Sequence, residues 1–189
     1  MKIVLVRHGE SGHNARMNDN KNSSLTKKGK IQAEHLGKRL KREKIKIDKI
    51  YTSNLIRSKQ TAEIVSKIIK IPISKSFEEF SEYPSANLKN FFVRLLNLKL
   101  GRLKKLLDKI TKAKGNNKII MVVAHGVTIR IIIGYLLEMP LGKKLLRFFH
   151  HNTGISVLEW NKKHKNWRLT SMNDTSHLPE KLKWGKVYE

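Results

Sequence analysis

The sequence predicts an α/β fold, a three-layer sandwich with a mostly parallel central sheet and helices on both faces. Three observations predict it. Short runs rich in Ile, Val, Leu and Met lie at Lys2–Val6 and Ile119–Ala124, the pattern of strands buried on both faces, and Ile47–Thr52 is a further strand candidate. Segments with helical periodicity separate them, which favours parallel strands joined by covering helices. No stretch of the 189 residues has the composition of a dividing linker, so a single domain over residues 1–189 is expected.

Lys2–Val6 is a first strand that runs into the polar turn Arg7-His8-Gly9. Residues 11–24, rich in Asn, Ser and Gly, read as loop. A helix follows Leu25, with Thr26 as its N-cap and Ile31, Ala33, Leu36 and Leu40 turned inward. Ile47–Thr52 is a second strand, and Leu55–Lys70 a helix with Ala62, Val65, Ile68 and Ile69 inward. Ile71-Pro72-Ile73 is a short third strand, and residues 75–87 a loop that carries Glu78, Glu79 and Glu82. Leu88–Lys114 is a basic amphipathic segment, closed by the turn Gly115-Asn116-Asn117. A helical, cap-like element is expected around 86–114, with Phe91, Phe92, Leu95, Leu96 and Leu103 at near-helical spacing and better suited to core packing than to substrate contact. Ile119–Ala124 is the clearest strand, and Gly126–Leu137 a helix apolar enough to be buried. Pro140 can open a further short helix. Gly154–Trp160 and Trp167–Met172 form a hairpin across the polar Asn161–Asn166, and the basic tail beyond Pro179 packs loosely.

Forty Lys and Arg face fifteen Asp and Glu, a formal charge of +25. Such a field attracts nucleic acid, anionic lipid or phosphorylated metabolites, and it speaks to association, not to fold. The chain has no cysteine, which excludes disulfides, thiolate metal sites and cysteine catalysis. The opening MKIVLVRHGES has no signal-peptide pattern. The most apolar stretch, Ile119–Met139, contains His125 and Arg130, which are costly in a bilayer. A cytoplasmic protein with no membrane span is expected.

Four features carry chemistry. Arg7-His8-Gly9-Glu10-Ser11 follows a strand, where ligand sites of open α/β sheets gather. A histidine there can act as a nucleophile beside an arginine whose fork suits phosphate. Ser53-Asn54-Leu55-Ile56-Arg57 puts an arginine on the first turn of a helix, where backbone N–H groups favour anions. Val122-Val123-Ala124-His125-Gly126 repeats the opening pattern of strand, His-Gly and helix. The two His-Gly pairs converge on one pocket if their strands are neighbours. Phe77-Glu78-Glu79-Phe80-Ser81-Glu82 concentrates acids in an acid-poor chain and can supply a general acid.

These motifs resemble the histidine phosphatase superfamily, the phosphoglycerate-mutase-like proteins. The likeness rests on RHGES at 7–11, Asn14, LTKKG at 25–29, SNLIRSKQTA at 53–62 and AHG at 124–126, with Asn173–Leu178 similar to the ending of some phosphatase branches. It covers nearly the whole chain in family order. The resemblance implies a phosphatase that hydrolyses phosphomonoesters through a phosphohistidine on His8. It implies phosphoryl binding by Arg7, Asn14, Arg57 and His125, and no metal or other cofactor. Glu79 falls in the family's position for the general acid, but the usual glycine-bearing continuation is replaced by Glu82-Tyr83-Pro84-Ser85-Ala86, which leaves Glu82 and Glu78 as alternatives. A phosphorylated small molecule is the expected partner. A phosphoglycerate-type mutase is the near alternative, although mutases of the family tend to be longer with a larger acidic-loop insert. A basic nucleic-acid-binding protein on an inactive fold is the alternative of another class, with nucleic-acid binding expected to be at most nonspecific. Oligomeric state is not legible in the sequence.

Overall fold

A computed structural model describes residues 1–13, 15, 20, 22–83, 90–139 and 148–183, with backbone alone for residues 90–97. The elements are β1 (Lys2–Arg7), α1 (Lys27–Arg42), β2 (Lys49–Ser53), α2 (Ile56–Ile69), β3 (Ile73–Phe77), α3 (Asn90–Thr111), β4 (Ile119–Ala124), α4 (Gly126–Leu136), β5 (Ile155–Asn161) and β6 (Asn166–Asp174). A 3-10 turn at Glu78–Phe80 follows β3, and another spans Glu180–Leu182.

The sheet order is β3-β2-β4-β1-β5-β6. The neighbours β3-β2, β2-β4 and β4-β1 pair in parallel, while β5 runs antiparallel to β1 and β6 antiparallel to β5. Alternation along β1 shows how the layers form. Val4 and Val6 join Leu36, Leu40, Ala62 and Val65 of α1 and α2 in one core. Ile3 and Leu5 join Leu103 and Leu107 of α3 and Ile129 and Ile132 of α4 in the other. Successive strand side chains point to opposite faces, so a continuous apolar run serves two cores. Each such buried side chain contributes about 1.5–3 kcal/mol relative to exposure.

Thr26 caps α1 as expected, its side chain accepting the Gly29 N–H. Ile31 does not turn inward and is 43% exposed. The buried stripe runs through Gly29, Gln32, Ala33, Leu36 and Leu40, and Ile31 lies to one side of it. The third strand is displaced from the expected Ile71–Ile73 to Ile73–Phe77. It is an edge strand, so it tolerates the exposed Ser74 and Lys75, which hide the apolar pattern. The hairpin forms as β5 and β6. The tail is fastened as far as Leu182, whose carbonyl accepts from Gln32 Nε2 at 2.7 Å. The expected Pro140 helix lies outside the described residues.

Gly9 lets two segments of backbone come into contact. A Cβ there would meet the Gly29 carbonyl oxygen at 2.5 Å. Two backbones touch, so no side chain can yield, and the loop after β1 is pressed onto the first turn of α1. Among the described residues no helix is long and apolar enough to cross a membrane.

Candidate active site

His8 and His125 follow β1 and β4, neighbouring strands in which Arg7 lies opposite Ala124. Their ring centroids are therefore 5.0 Å apart. His8 Nδ1 lies 2.7 Å from the Gly9 carbonyl. A carbonyl only accepts, so we assign the proton to Nδ1 and a lone pair to Nε2. Arg57 Nε donates to that Nε2 at 3.0 Å. Burial, followed by the charges of His125, Arg7 and Arg57, pushes the His8 pKa well below its ordinary value. The ring is thus neutral, with the lone pair of Nε2 held by a guanidinium.

His125 is oriented by serines. Its Nε2 lies 2.8 Å from Ser53 Oγ and 3.3 Å from Ser58 Oγ. Ser53 Oγ already accepts the Leu55 N–H, so we assign its hydroxyl proton to the bond with Nε2. That leaves the ring proton on Nδ1. This atom is buried without a hydrogen-bond partner in the protein and stands 3.9 Å from a Glu82 carboxylate oxygen.

Arg57, 1% exposed at the start of α2, donates through Nη2 to the same Glu82 carboxylate. Arg7 donates through Nη1 to the His150 carbonyl. Burial lowers the Arg7 pKa to about 10 and Glu82 opposes the shift, so the guanidinium stays charged at neutral pH. Arg130, held by its Nε–H to the Gly126 carbonyl at 3.1 Å, faces Glu82 as well. One carboxylate thus sits among three guanidiniums, Arg7, Arg57 and Arg130, beside the neutral His8 ring and the N–H of His125. Such a cluster can bind a phosphoryl group and stabilise charge as it transfers.

The family model for the histidine phosphatase superfamily, branch 1, matches residues 3–84 and 99–175. The chain belongs to the histidine phosphatase superfamily.

Among relatives of this histidine phosphatase, a broad-specificity phosphatase of Saccharomyces cerevisiae is 23% identical over 94% of this chain and 87% of its own. A metal-independent phosphoserine phosphatase of Arabidopsis thaliana is 28% identical over 94% of this chain and 83% of its own. A mutant phosphoserine phosphatase of Entamoeba histolytica, solved with phosphoserine, superposes with a TM-score of 0.73 at 27% identity, covering 94% of this chain and 99% of that one. The family and these names favour a phosphatase over a mutase.

The structure brings together four residues expected from the sequence: Arg7, His8, Arg57 and His125. Asn14 lies outside the described residues. Of the candidate acids, Glu82 and not Glu79 pairs with Arg57; Glu79 stands on the preceding turn, its carbonyl accepting the Tyr83 hydroxyl at 3.4 Å.

A support loop before β5 escaped the sequence reading. Asn152 Nδ2 donates to the His8 carbonyl at 2.9 Å, and the Thr153 N–H to the Arg7 carbonyl at 2.9 Å. Thr153 has φ 57°, left-handed and rare for a β-branched residue. Its hydroxyl donates to the Asn152 carbonyl at 2.7 Å and accepts from His177 Nε2 at 3.0 Å. Thr61 completes the frame, with its Oγ1 accepting the Gly9 N–H at 3.0 Å and donating to the Arg57 carbonyl at 2.7 Å. The sequence marks Gly154 as the start of a hairpin strand and singles out neither Asn152 nor Thr153, and nothing near them in the chain points to residues 7 and 8.

The histidine phosphatase should be acid-sensitive. Burial pushes both His150 and His177 down from 6.5 to about 4. The folded rings stay neutral where the unfolded rings take up protons. Stability is therefore full above pH 6.5 and falls as pH drops toward 4, by about 2 kcal/mol per ring at pH 5. Urea midpoints at pH 7 and pH 5 test this, and equal midpoints would refute it.

Proposed function

We propose that this histidine phosphatase hydrolyses phosphomonoesters of small acidic metabolites through a phosphohistidine on His8 Nε2. The observation that carries the reading is the geometry of buried His8, whose Nδ1 lies 2.7 Å from the Gly9 carbonyl and whose Nε2 lies 3.0 Å from Arg57 Nε. In this reading Nε2 attacks phosphorus as the ester oxygen leaves with a proton. Water then attacks the phosphohistidine and phosphate departs. Arg7, Arg57 and the Nδ1–H of His125 hold the phosphoryl oxygens, and splitting one displacement into two lowers each barrier.

The acid is assigned to Glu79, and Glu82 is the counter-ion that yields to substrate. A carboxylate clamped by Arg57 next to His125 Nδ1 occupies the place of the phosphoryl oxygens rather than that of a proton donor. Glu79→Gln should lower kcat by ~10²–10⁴-fold. Glu82→Gln should keep kcat within a few-fold and lower KM, because substrate no longer competes with an internal anion. Steady-state kinetics on both variants check this, and a collapse of kcat in Glu82→Gln alone would reverse the two roles.

Phosphate release and isomerisation, measured side by side on phosphoserine and 3-phosphoglycerate, test the function. Both compounds are bound in solved Entamoeba histolytica phosphoserine phosphatase structures. Release faster than conversion supports hydrolysis, and conversion faster than release would make the protein a mutase.

A further inference from the structure

We propose that the groove between α3 and the sheet binds single-stranded nucleic acid, through backbone charge and base stacking and without sequence preference. The groove has a volume of about 540 Å³. One wall is the sheet and the other is the C-terminal part of α3 with the turn after it. Three adjacent strands each bring a lysine to the sheet wall: Lys118 just before β4, Lys49 at the start of β2 and Lys75 in β3. The register sets them on a diagonal. Lys49 pairs with Ile120, two residues beyond Lys118, and Lys75 pairs with Tyr51, two residues beyond Lys49. Each step crosses one strand and advances two residues, about 8 Å, which makes a row of charges suited to a chain of phosphates. Lys109 and Lys112 face this row from the other wall.

All five lysines are exposed, and among the described residues no acidic side chain lines the groove. Asp48, next to Lys49, is spent on the Ile119 N–H at 2.7 Å. The groove also carries rings. Tyr51 and Phe77 are half-buried in it, edge to face at 5.3 Å, with Lys75 Nζ 5.2 Å from the Phe77 centroid. Base stacking on aromatic side chains beside a basic track is how single strands are held without sequence readout. A lipid headgroup surface or a base-free polyanion matches the lysines but has nothing to set against the rings. Lys49 and Lys118 stand at the N-terminal ends of their strands, and His8 and His125 follow the C-terminal ends of β1 and β4. The lysine row therefore starts at the opposite edge of the sheet from the two histidines.

With a charge of +25 on the chain, the test must separate a local site from diffuse attraction. The probe is a fluorescent oligoadenylate of about a dozen nucleotides, titrated with the full chain by anisotropy over a salt series. A groove variant carries Lys49→Ala, Lys75→Ala, Lys109→Ala, Lys112→Ala and Lys118→Ala. A control variant with the same charge loss carries Lys38→Ala, Lys41→Ala, Lys67→Ala, Lys163→Ala and Lys181→Ala. All ten are exposed, so neither variant removes core. The control should bind within a few-fold of wild type. The groove variant should bind at least tenfold more weakly, with the slope of log K against log salt shallower by about 3.5. Tyr51→Leu should weaken binding with the slope unchanged. Equal losses in the two multiple variants would overturn the groove. Tighter binding of phosphatidylserine vesicles or inorganic polyphosphate than of oligoadenylate would overturn its assignment to nucleic acid.

Discussion

His8→Ala should reduce phosphate release from any phosphomonoester by ~10⁴-fold or more, the scale seen when a covalent nucleophile is removed from a group-transfer site. The expectation rests on one atom. Nε2 is the unprotonated nitrogen of a ring kept neutral by burial, and Arg57 already points Nε at it from 3.0 Å. Alanine leaves the arginine cluster in place, so substrate should still bind, with KM changed far less than kcat. The fold should survive, since the His8 carbonyl keeps its bond from Asn152 whatever the side chain. Two measurements check it: phosphate release in the steady state, and trapping of an acid-labile phosphoprotein, present in wild type and absent in the variant. Turnover within tenfold of wild type would remove His8 from the mechanism.

Arg57→Ala should have the next largest effect, lowering kcat/KM by ~10²–10³-fold, the usual cost of deleting a preorganised donor at the site of charge development. Arg57 touches both halves of the proposed site, with Nε on His8 Nε2 and Nη2 on the Glu82 carboxylate. Arg57→Lys keeps the charge but not the fork, because an ammonium cannot present two donors in one rigid plane. It should recover less than tenfold of the loss. Separate kcat and KM values for the two variants check this. A lysine variant with full activity would reduce Arg57 to a point charge.

The two effects meet at Glu82. With the arginine gone, Glu82 loses its ion pair yet remains 39% exposed, so no buried charge is stranded. The loss on Arg57→Ala should therefore appear in catalysis more than in stability.

Several parts of the molecule were legible from residues alone. The apolar runs of β1 and β4 mark buried strands because a strand covered on both faces has few polar positions to spare. Thr26 announces α1 because a hydroxyl at that place satisfies a helix N–H that has no other partner. Arg7, His8, Arg57 and His125 stand out because each follows a strand or opens a helix, where a side chain reaches the sheet's C-terminal edge. Other parts were not legible. The edge strand β3 begins two residues beyond its apolar signal at Ile71, since solvent on its outer side permits Ser and Lys. Glu79 and Glu82 could not be separated, because three residues of chain choose which carboxylate reaches Arg57.

What the sequence determined by itself is local: which segments are strands or helices, where they are capped, and which side chains sit at their ends. Only the tertiary structure decided what those ends meet. The strand order β4-β1-β5 brings together His8 and His125 from distant parts of the chain and lays Asn152 and Thr153 against the carbonyls of residues 7 and 8. The diagonal of Lys118, Lys49 and Lys75 is likewise a product of register. The physical reason is that periodicity and capping act within a few residues, whereas strand pairing is fixed by the burial of whole faces. The nucleophile expected at His8 thus has its position from the sequence and its neighbours from the sheet.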